Sequence, residues 1–178
     1  MSASDIRVMT YNLLNFSDDD NREMHYISIL ESVLPDLIVV QEVVGQTGFT
    51  HFQSDVLDVF QNGQWSGAPF INQSAQQDIA LFFKHDIFSF ISTGAIGTAQ
   101  SSGTRDVIEW TMVHNMSEIE FTIYGVHLKA SSGSSNAEQR LAEATVLRQH
   151  LNNLSNSYFI VAGDFNIYSN SASTEPAF

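Results

Sequence analysis

Cysteine is absent from the 178-residue sequence, which excludes disulfide bonds and thiolate metal sites. Long apolar runs are also missing, and none approaches the ~20 residues that a membrane-spanning helix needs. Residues 1–5 contain no basic stretch followed by a long apolar one, so no signal peptide is predicted. Neither observation identifies a compartment, which stays open between secreted and cytoplasmic.

Basic residues are scarce: seven Lys and Arg stand against 20 Asp and Glu, giving a formal net charge of −13. Proteins that hold duplex DNA tightly usually carry a basic surface, because neutralising phosphates supplies much of their affinity. The charge therefore argues against a tight, non-catalytic nucleic-acid binder. It argues only mildly against a nuclease, since transient contact is enough for hydrolysis and a divalent cation offsets repulsion locally.

The apolar content, 43% with 13 Phe, is typical of a folded protein. A chain of this length suits one domain with a sizeable core and is too short for two large ones. The sequence contains no internal repeat and no interdomain linker. We therefore treat residues 1–178 as part of a single domain.

Apolar periodicity predicts alternating strands and helices. Strands are predicted at 6–12, 37–42, 65–71, 78–84, 88–96, 107–115, 119–128 and 158–163, and helices at 22–34, 49–60 and 136–153. The first strand–helix–strand run indicates a βαβ unit, and the strands from 65 onward suggest an antiparallel meander. Residues 173–176 look like the start of a helix. This mixture predicts an α/β (α+β) fold, a two-sheet sandwich flanked by helices.

Four predicted strands end in polar or ionisable residues. Three of these ends are Thr-Tyr-Asn, finishing at Asn12, Gln-Glu, finishing at Glu42, and His-Leu-Lys, which begins at His127. The fourth is Gly-Asp-Phe-Asn, which contains Asp164 and Asn166. Strand ends at one edge of a sheet are where rigid scaffolds present functional groups.

In this order and spacing, the four motifs resemble the endonuclease/exonuclease/phosphatase family, which includes deoxyribonuclease I, abasic-site endonucleases, bacterial sphingomyelinases and inositol-polyphosphate 5-phosphatases. The resemblance runs from Arg7 to the end of the chain. Each motif is weak alone, and the ordered set is specific. The resemblance implies a deoxyribonuclease I-like four-layer sandwich and metal-dependent hydrolysis of phosphate esters.

The resemblance also implies a role for each motif. Glu42 would be the main carboxylate ligand of Mg²⁺ or Mn²⁺, and Asn12 would help place the metal or its waters. His127 would contact the scissile phosphate or protonate one of its oxygens. Asp164 would orient or activate the attacking water, while Asn166 would donate a hydrogen bond to a phosphoryl oxygen. Arg105 lies where many relatives have a phosphate-contacting Arg.

Each residue taken alone has a structural alternative. Asn12 could form an Asx turn, Glu42 could be a solvated strand end, and a single strand His such as His127 is more often structural than catalytic. Arg105 could simply pair with Asp106 or Glu109. The remaining five His residues are interpreted as structural.

The family's last motif, Ser-Asp-His, has no counterpart before Phe178, and only twelve residues follow Asn166. The expectation is therefore an N-terminal portion of the domain. Hydrolysis by the chain alone should be very weak or absent, because catalytic groups that act as a unit lose most of their rate when one is missing. Apolar sheet surface left uncovered should promote self-association.

Three functions remain open. A metal-dependent phosphodiesterase, most simply an endo- or exonuclease acting on nucleic acid, is the leading hypothesis. A phosphatase or sphingomyelinase-like enzyme acting on small or lipid phosphate esters is the second, and the acidic balance slightly favours it. The third is an inactive fragment or non-catalytic scaffold with the same fold, since fold does not fix function.

Overall fold

Eight strands form two four-stranded sheets in the computed structural model, which describes residues 5–17, 21–73, 77–99, 103–154 and 158–177. Sheet 1 contains β1 (Val8–Phe16), β2 (Leu37–Val43), β3 (Trp65–Gly67) and β4 (Asp78–Lys84), in the order β1-β2-β4-β3. Sheet 2 contains β5 (Phe88–Ile96), β6 (Val107–His114), β7 (Ile119–His127) and β8 (Phe159–Asp164), in sequence order. The predicted two-sheet architecture is confirmed.

Helices cover the outer face of each sheet. On sheet 1 lie α1 (Glu23–Val33) and a helical run made of α2 (Gly45–His51), a π-helical segment (Phe52–Leu57) and α3 (Asp58–Phe60). On sheet 2 lies α4 (Ser134–Asn152), which packs through Leu147 onto Tyr124 and Val126. The order of layers is helix, sheet, sheet, helix. Among the helices of the described residues, none is long and apolar enough to cross a membrane.

Two parallel strand pairs, one in each sheet, arise from β-helix-β units. In sheet 1, β1 and β2 are parallel across α1, with Asn12 opposite Gln41. In sheet 2, β7 and β8 are parallel across α4, with His127 opposite Asp164. The carboxyl ends of two parallel strands lie at the same sheet edge. Each unit therefore brings two of the polar motifs together.

The main core lies between the sheets, where Leu37 and Val39 of β2 pack with Trp110 and Ile123 of sheet 2. The alternate residues of β2, such as Ile38 and Val40, pack against the helices instead. Strand β2 is thus buried on both faces, which explains its continuous apolar sequence.

Some expectations differ from the structure in detail. The predicted helix at 49–60 begins four residues earlier, at Gly45, and the strand predicted at 65–71 ends at Gly67. The meander is divided, because a turn after Lys84 carries the chain from β4 in sheet 1 to β5 in sheet 2. The helix start predicted at 173–176 is a single turn, in which the amides of Thr174 and Glu175 donate to the Ser171 carbonyl, 2.9 and 2.8 Å away.

Gly125 allows the two sheets to approach closely. A Cβ at this position would lie 2.6 Å from the Trp110 ring of sheet 2 and 2.9 Å from Ile79 Cγ2 of sheet 1. We expect Gly125→Ala to lower the free energy of unfolding by about 1–3 kcal/mol, the usual cost of overpacking a core. Urea unfolding followed by tryptophan fluorescence measures this loss.

The matched control is Gly97→Ala, because a Cβ at Gly97 would meet nothing within 4 Å. Equal stabilities of the two alanine variants would contradict the close approach at Gly125.

Candidate active site

Glu42 reaches the sheet edge through an irregularity in β2. The pairing of β2 with β4 shifts register between Val40 and Val43, and Glu42 has a φ of +63°. Simple alternation would direct Glu42 to the helix side, as it does Val40. Bulges that re-aim a side chain, and positive φ at a non-glycine residue, are frequent at functional sites. Here the bulge brings the carboxylate to the end of the sandwich.

Asn12 joins Glu42 and Asp164, which belong to different sheets. Its Nδ2 donates to Glu42 Oε1 at 2.9 Å and to Asp164 Oδ2 at 3.1 Å. Its Oδ1 accepts the Leu14 amide at 2.9 Å, which fixes the orientation of the side chain. The two hydrogens of one amide thus link the carboxylates that end β2 and β8.

Gly163 allows β8 to reach this edge. Its φ is +147°, and a Cβ there would lie 1.9 Å from the Val126 carbonyl oxygen, so only glycine fits. Asp164 follows, and its Oδ1 accepts a hydrogen bond from the backbone N–H of Asn166 at 2.9 Å. Asn166 Nδ2 donates to the Leu128 carbonyl at 2.9 Å. Among the described residues, the second hydrogen of the Asn166 side-chain amide has no acceptor, so it can donate to a ligand.

His127 ends β7 almost completely buried, 4% exposed. Its Nε2 lies 3.8 Å from Glu42 Oε1, and its Nδ1 has no hydrogen-bond partner among the described residues. Burial and the nearby positive charge of Arg105 lower the His127 pKa to about 4, although Asp164, Glu42 and the Gln77 backbone oppose the shift. The ring is therefore neutral near pH 7.

Arg105 is 6% exposed and lies close to the carboxylates. Its Nε donates to the Gln77 carbonyl at 2.6 Å, and its Nη2 donates to Gln77 Oε1. Burial lowers the Arg105 pKa, and Glu42 is the first of several carboxylates that oppose this shift. Arg105 does not form an ion pair with Asp106 or Glu109. Asp106 accepts the Ala99 backbone amide instead, and Glu109 lies 3.3 Å from His150.

Sequence reasoning missed Gln77 and Asn15. The Gln77 Nε2 donates to Asn15 Oδ1 at 2.5 Å and lies 3.5 Å from Glu42 Oε2. The same Glu42 oxygen accepts a hydrogen bond from the backbone N–H of Asn15 at 3.1 Å. Gln77 thus connects Arg105 to Glu42. The only available signal was its position immediately before the apolar strand β4.

The donor set fits a hard divalent cation. Glu42 and Asp164 supply carboxylate oxygens at one edge, and no cysteine is available. Among the described residues, no group of three or more His, Asp or Glu side chains could hold a metal alone. Mg²⁺ usually takes one or two carboxylates and completes its shell with water and substrate phosphate. Asn12 directs its nitrogen to both carboxylates, so in this orientation it positions them.

The sequence profile of the endonuclease/exonuclease/phosphatase family matches residues 9–177. The chain belongs to this family. No curated protein sequence matches the chain significantly. Members of the family are generally hydrolytic phosphoesterases, and the resemblance stated from the four motifs is confirmed.

Solved structures with the same fold include several family enzymes. The human Nocturnin catalytic domain is 22% identical with a TM-score of 0.70, and the alignment covers 97% of this chain and 67% of that one. A humanized D. rerio TDP2 is 14% identical with a TM-score of 0.72, covering 94% and 65%. A mannosyl-6-phosphatase from Bacteroides thetaiotaomicron is 15% identical with a TM-score of 0.71, covering 98% and 70%. The chain thus spans about two thirds of the length of these structures.

Asp78, at the start of β4, is buried beside this site and accepts the Gln73 amide at 2.9 Å. Burial raises its pKa to about 6, against the opposing effects of that hydrogen bond and of Arg105. Between pH 4 and 6 the native state therefore binds extra protons at Asp78. At His127 the opposite holds: between about pH 4 and 6.5 the native state binds fewer protons than the unfolded chain.

The two groups have opposite effects on stability. His127 makes the protein more stable as pH rises from 4 to 6.5, whereas Asp78 makes it less stable as pH rises from 3.8 to 6. We expect Asp78→Asn to remove the second effect. The variant should then lose stability more steeply than the wild type as pH falls from 6.5 to 4, by on the order of 1–3 kcal/mol.

Urea unfolding in EDTA at half-unit pH steps measures these curves. His127→Asn should show the opposite trend and lose stability as pH rises from 4 to 6. The exposed His25→Asn serves as the control, with a curve parallel to that of the wild type. Parallel curves for all variants would contradict the shifts assigned to Asp78 and His127.

Proposed function

We propose that this chain carries the metal- and phosphate-binding part of a divalent-metal-dependent phosphodiester hydrolase, most simply an endo- or exonuclease. One observation carries the proposal: the Asn12 amide joins Glu42 of sheet 1 to Asp164 of sheet 2. An amide that bridges two carboxylates from separate sheets adds no apolar packing to the core. It is well suited to fixing two acidic groups beside a cation and a phosphate.

The roles of the acidic residues follow from this arrangement. Glu42, with Asp164 beside it, would hold Mg²⁺ or Mn²⁺. Such an ion supplies charge neutralisation at the phosphoryl oxygens. Asp164 accepts hydrogen bonds on both oxygens, from Asn12 and from the Asn166 amide. A carboxylate so fixed is suited to orienting the attacking water.

The remaining residues would bind the phosphate. The second hydrogen of the Asn166 side-chain amide can donate to a phosphoryl oxygen. The Arg105 guanidinium lies at the same edge, close to the carboxylates. The low His127 pKa favours phosphate contact over proton donation, because a neutral imidazole donates one hydrogen bond but is a poor acid near pH 7.

A second candidate is a phosphatase or sphingomyelinase-like enzyme acting on small or lipid phosphate esters. The net charge of −13 favours it, because a long polyanion is repelled more strongly than a small ester. Structures of both kinds share the fold, since TDP2 is described in complex with single-stranded DNA product and the Bacteroides protein as a mannosyl-6-phosphatase. Identities of 15% support the fold alone.

We expect Glu42→Ala to abolish Mn²⁺ binding and to lower hydrolysis of bis-p-nitrophenyl phosphate at least about 100-fold, because the main metal ligand is lost. Calorimetry measures the binding. Product absorbance at high protein concentration measures the hydrolysis, since turnover by this chain alone is expected to be slow. The matched control is Glu31→Ala, which removes an exposed carboxylate from α1. No Mn²⁺ binding by the wild type, with Glu42→Ala indistinguishable from it, would favour a non-catalytic scaffold.

Substrate class is tested by comparing three substrates with Mg²⁺. Nicking of supercoiled plasmid that disappears in Glu42→Ala is expected for a nuclease. Release of phosphate from a sugar phosphate, or of phosphocholine from sphingomyelin, without nicking would support the second candidate.

Self-association remains a prediction of its own. Strands β1 and β8 are edge strands of their sheets and contact each other at one side of the sandwich. A groove of about 450 Å³ there is lined by apolar side chains that include Val8, Ile119 and Tyr158, which are 40, 43 and 60% exposed. Sedimentation velocity should detect dimers or larger species at micromolar concentration, and Tyr158→Lys should reduce them. A monomer at all concentrations would contradict this prediction.

A further inference from the structure

Arg140 and Glu143 are two buried charged residues of α4 that have no role in the proposed active site. Both residues are 0% exposed. They lie three residues apart, so their side chains leave the same face of the helix. Burial raises the pKa of Glu143, and its Oε1 has no partner among the described residues. Charged groups are seldom buried completely without a specific role for their hydrogen bonds.

The two side chains hold the backbone of Lys129 from both sides. Glu143 Oε2 accepts the Lys129 amide at 2.9 Å, and Arg140 Nη1 donates to the Lys129 carbonyl at 2.7 Å. The same Nη1 donates to the Ser131 carbonyl at 3.0 Å. Strand β7 has already ended at His127, so no regular structure holds this segment. Hydrogen bonds to charged groups, which are stronger than neutral ones, replace the strand ladder.

Arg140 is itself fixed by a bidentate partner. Its Nε and Nη2 donate to the two oxygens of Glu175 at 3.0 and 2.6 Å, and its Cζ lies 5.2 Å from the centre of the Tyr168 ring. The hydrogen bonds from Arg140 lower the pKa of Glu175, so that carboxylate keeps its charge. The guanidinium therefore has little freedom to leave Lys129.

Leu128, the residue before Lys129, connects this arrangement to the active site. The Leu128 amide donates to the Asp164 carbonyl at 3.0 Å, and the Leu128 carbonyl accepts Asn166 Nδ2 at 2.9 Å. The Tyr168 hydroxyl lies 3.4 Å from Asn166 Oδ1 and accepts the Ser131 amide at 3.0 Å. The nitrogen of the Asn166 side-chain amide thus contacts the segment after β7 directly, and its oxygen contacts that segment through Tyr168.

We propose that Glu143 and Arg140 are positioning residues for Asn166. By holding the Lys129 peptide, they fix the Leu128 carbonyl and so direct the second hydrogen of the Asn166 amide toward the phosphate. Neither residue touches the substrate in this account. The kinetic consequence rests on the proposed hydrolytic function, whereas the structural consequence does not.

Glu143 is the better residue to change, because removing Arg140 would leave Glu175 buried without its partner and endanger folding. Glu143→Met preserves the size of the side chain and removes the acceptor. Glu143→Gln removes the charge and keeps an acceptor oxygen for the Lys129 amide. The matched control is the same pair of changes at Glu138, an exposed residue of α4.

The first measurement is amide hydrogen exchange by NMR in the 178-residue chain. We expect Glu143→Met to speed exchange of the Lys129 amide by about 10- to 100-fold, the factor that corresponds to a lost buried hydrogen bond. The Asn166 side-chain amide signals should shift or broaden. Amides of β6 should keep their protection, and Glu143→Gln should stay within about threefold of the wild type for Lys129.

The second measurement is steady-state hydrolysis of bis-p-nitrophenyl phosphate with Mn²⁺. We expect Glu143→Met to lower kcat by about 10- to 100-fold with KM within about threefold, the pattern of a misplaced group that acts in the transition state. Glu143→Gln should restore most of kcat. Mn²⁺ affinity measured by calorimetry should not change, because Glu42 is untouched.

Unchanged Lys129 exchange and unchanged Asn166 signals in a folded Glu143→Met protein would overturn the proposal, as would equal damage by Glu143→Gln. If Glu143→Met does not fold, Tyr168→Phe decides instead. That variant removes one exposed hydroxyl, and intact Asn166 signals in it would overturn the path to the site. A wild-type chain without turnover is compatible with the missing last motif, and the NMR results then decide the positioning. A wild-type chain that does not bind Mn²⁺ would count against the hydrolytic function alone.

Discussion

The hydrogen bonds of one side-chain amide connect the two sheets of this molecule at the edge that carries the candidate site. Asn12 donates to Glu42 in its own sheet and to Asp164 in the other, at 2.9 and 3.1 Å. Two carboxylates at such short range from one another repel each other, and they are kept together only where donors or a cation compensate. The sandwich depends on an apolar interior for stability. The relative placement of its acidic groups depends on this amide and on the backbone that carries it.

That backbone departs from regular strand geometry where each group is presented. Glu42 and Asn166 both have positive φ, and Gly163 passes within a distance of Val126 that excludes a side chain. Buried polar contacts hold the segment that follows β7, where Arg140, paired with Glu175, donates to the Lys129 carbonyl and Glu143 accepts the Lys129 backbone amide. Positive φ values at the site residues and buried charges on the helix behind them are both features that proteins keep where the surrounding structure fixes a functional group.

Much of the architecture followed from apolar patterns and short motifs. The continuous apolar runs of β2 and β8, and the periodic helices α1 and α4, were predicted within a few residues of their observed bounds. The family resemblance, drawn from the order of four motifs, is confirmed by the family profile. The roles of Glu42, Asn12, His127, Asp164, Asn166 and Arg105 stay predictions. The structure brings these side chains to one edge, which is what those roles require.

The sequence by itself determined which residue types stand at the strand ends and that the strands are buried, because both depend on local composition and periodicity. It also determined the absence of thiolate chemistry and the acidic net charge. Only the tertiary structure decided that Gln77 joins Arg105 to Glu42, that a bulge turns Glu42 away from the helix side, and that α4 holds Lys129. These contacts link residues distant along the chain, and their geometry depends on how two sheets pack, which no local pattern records.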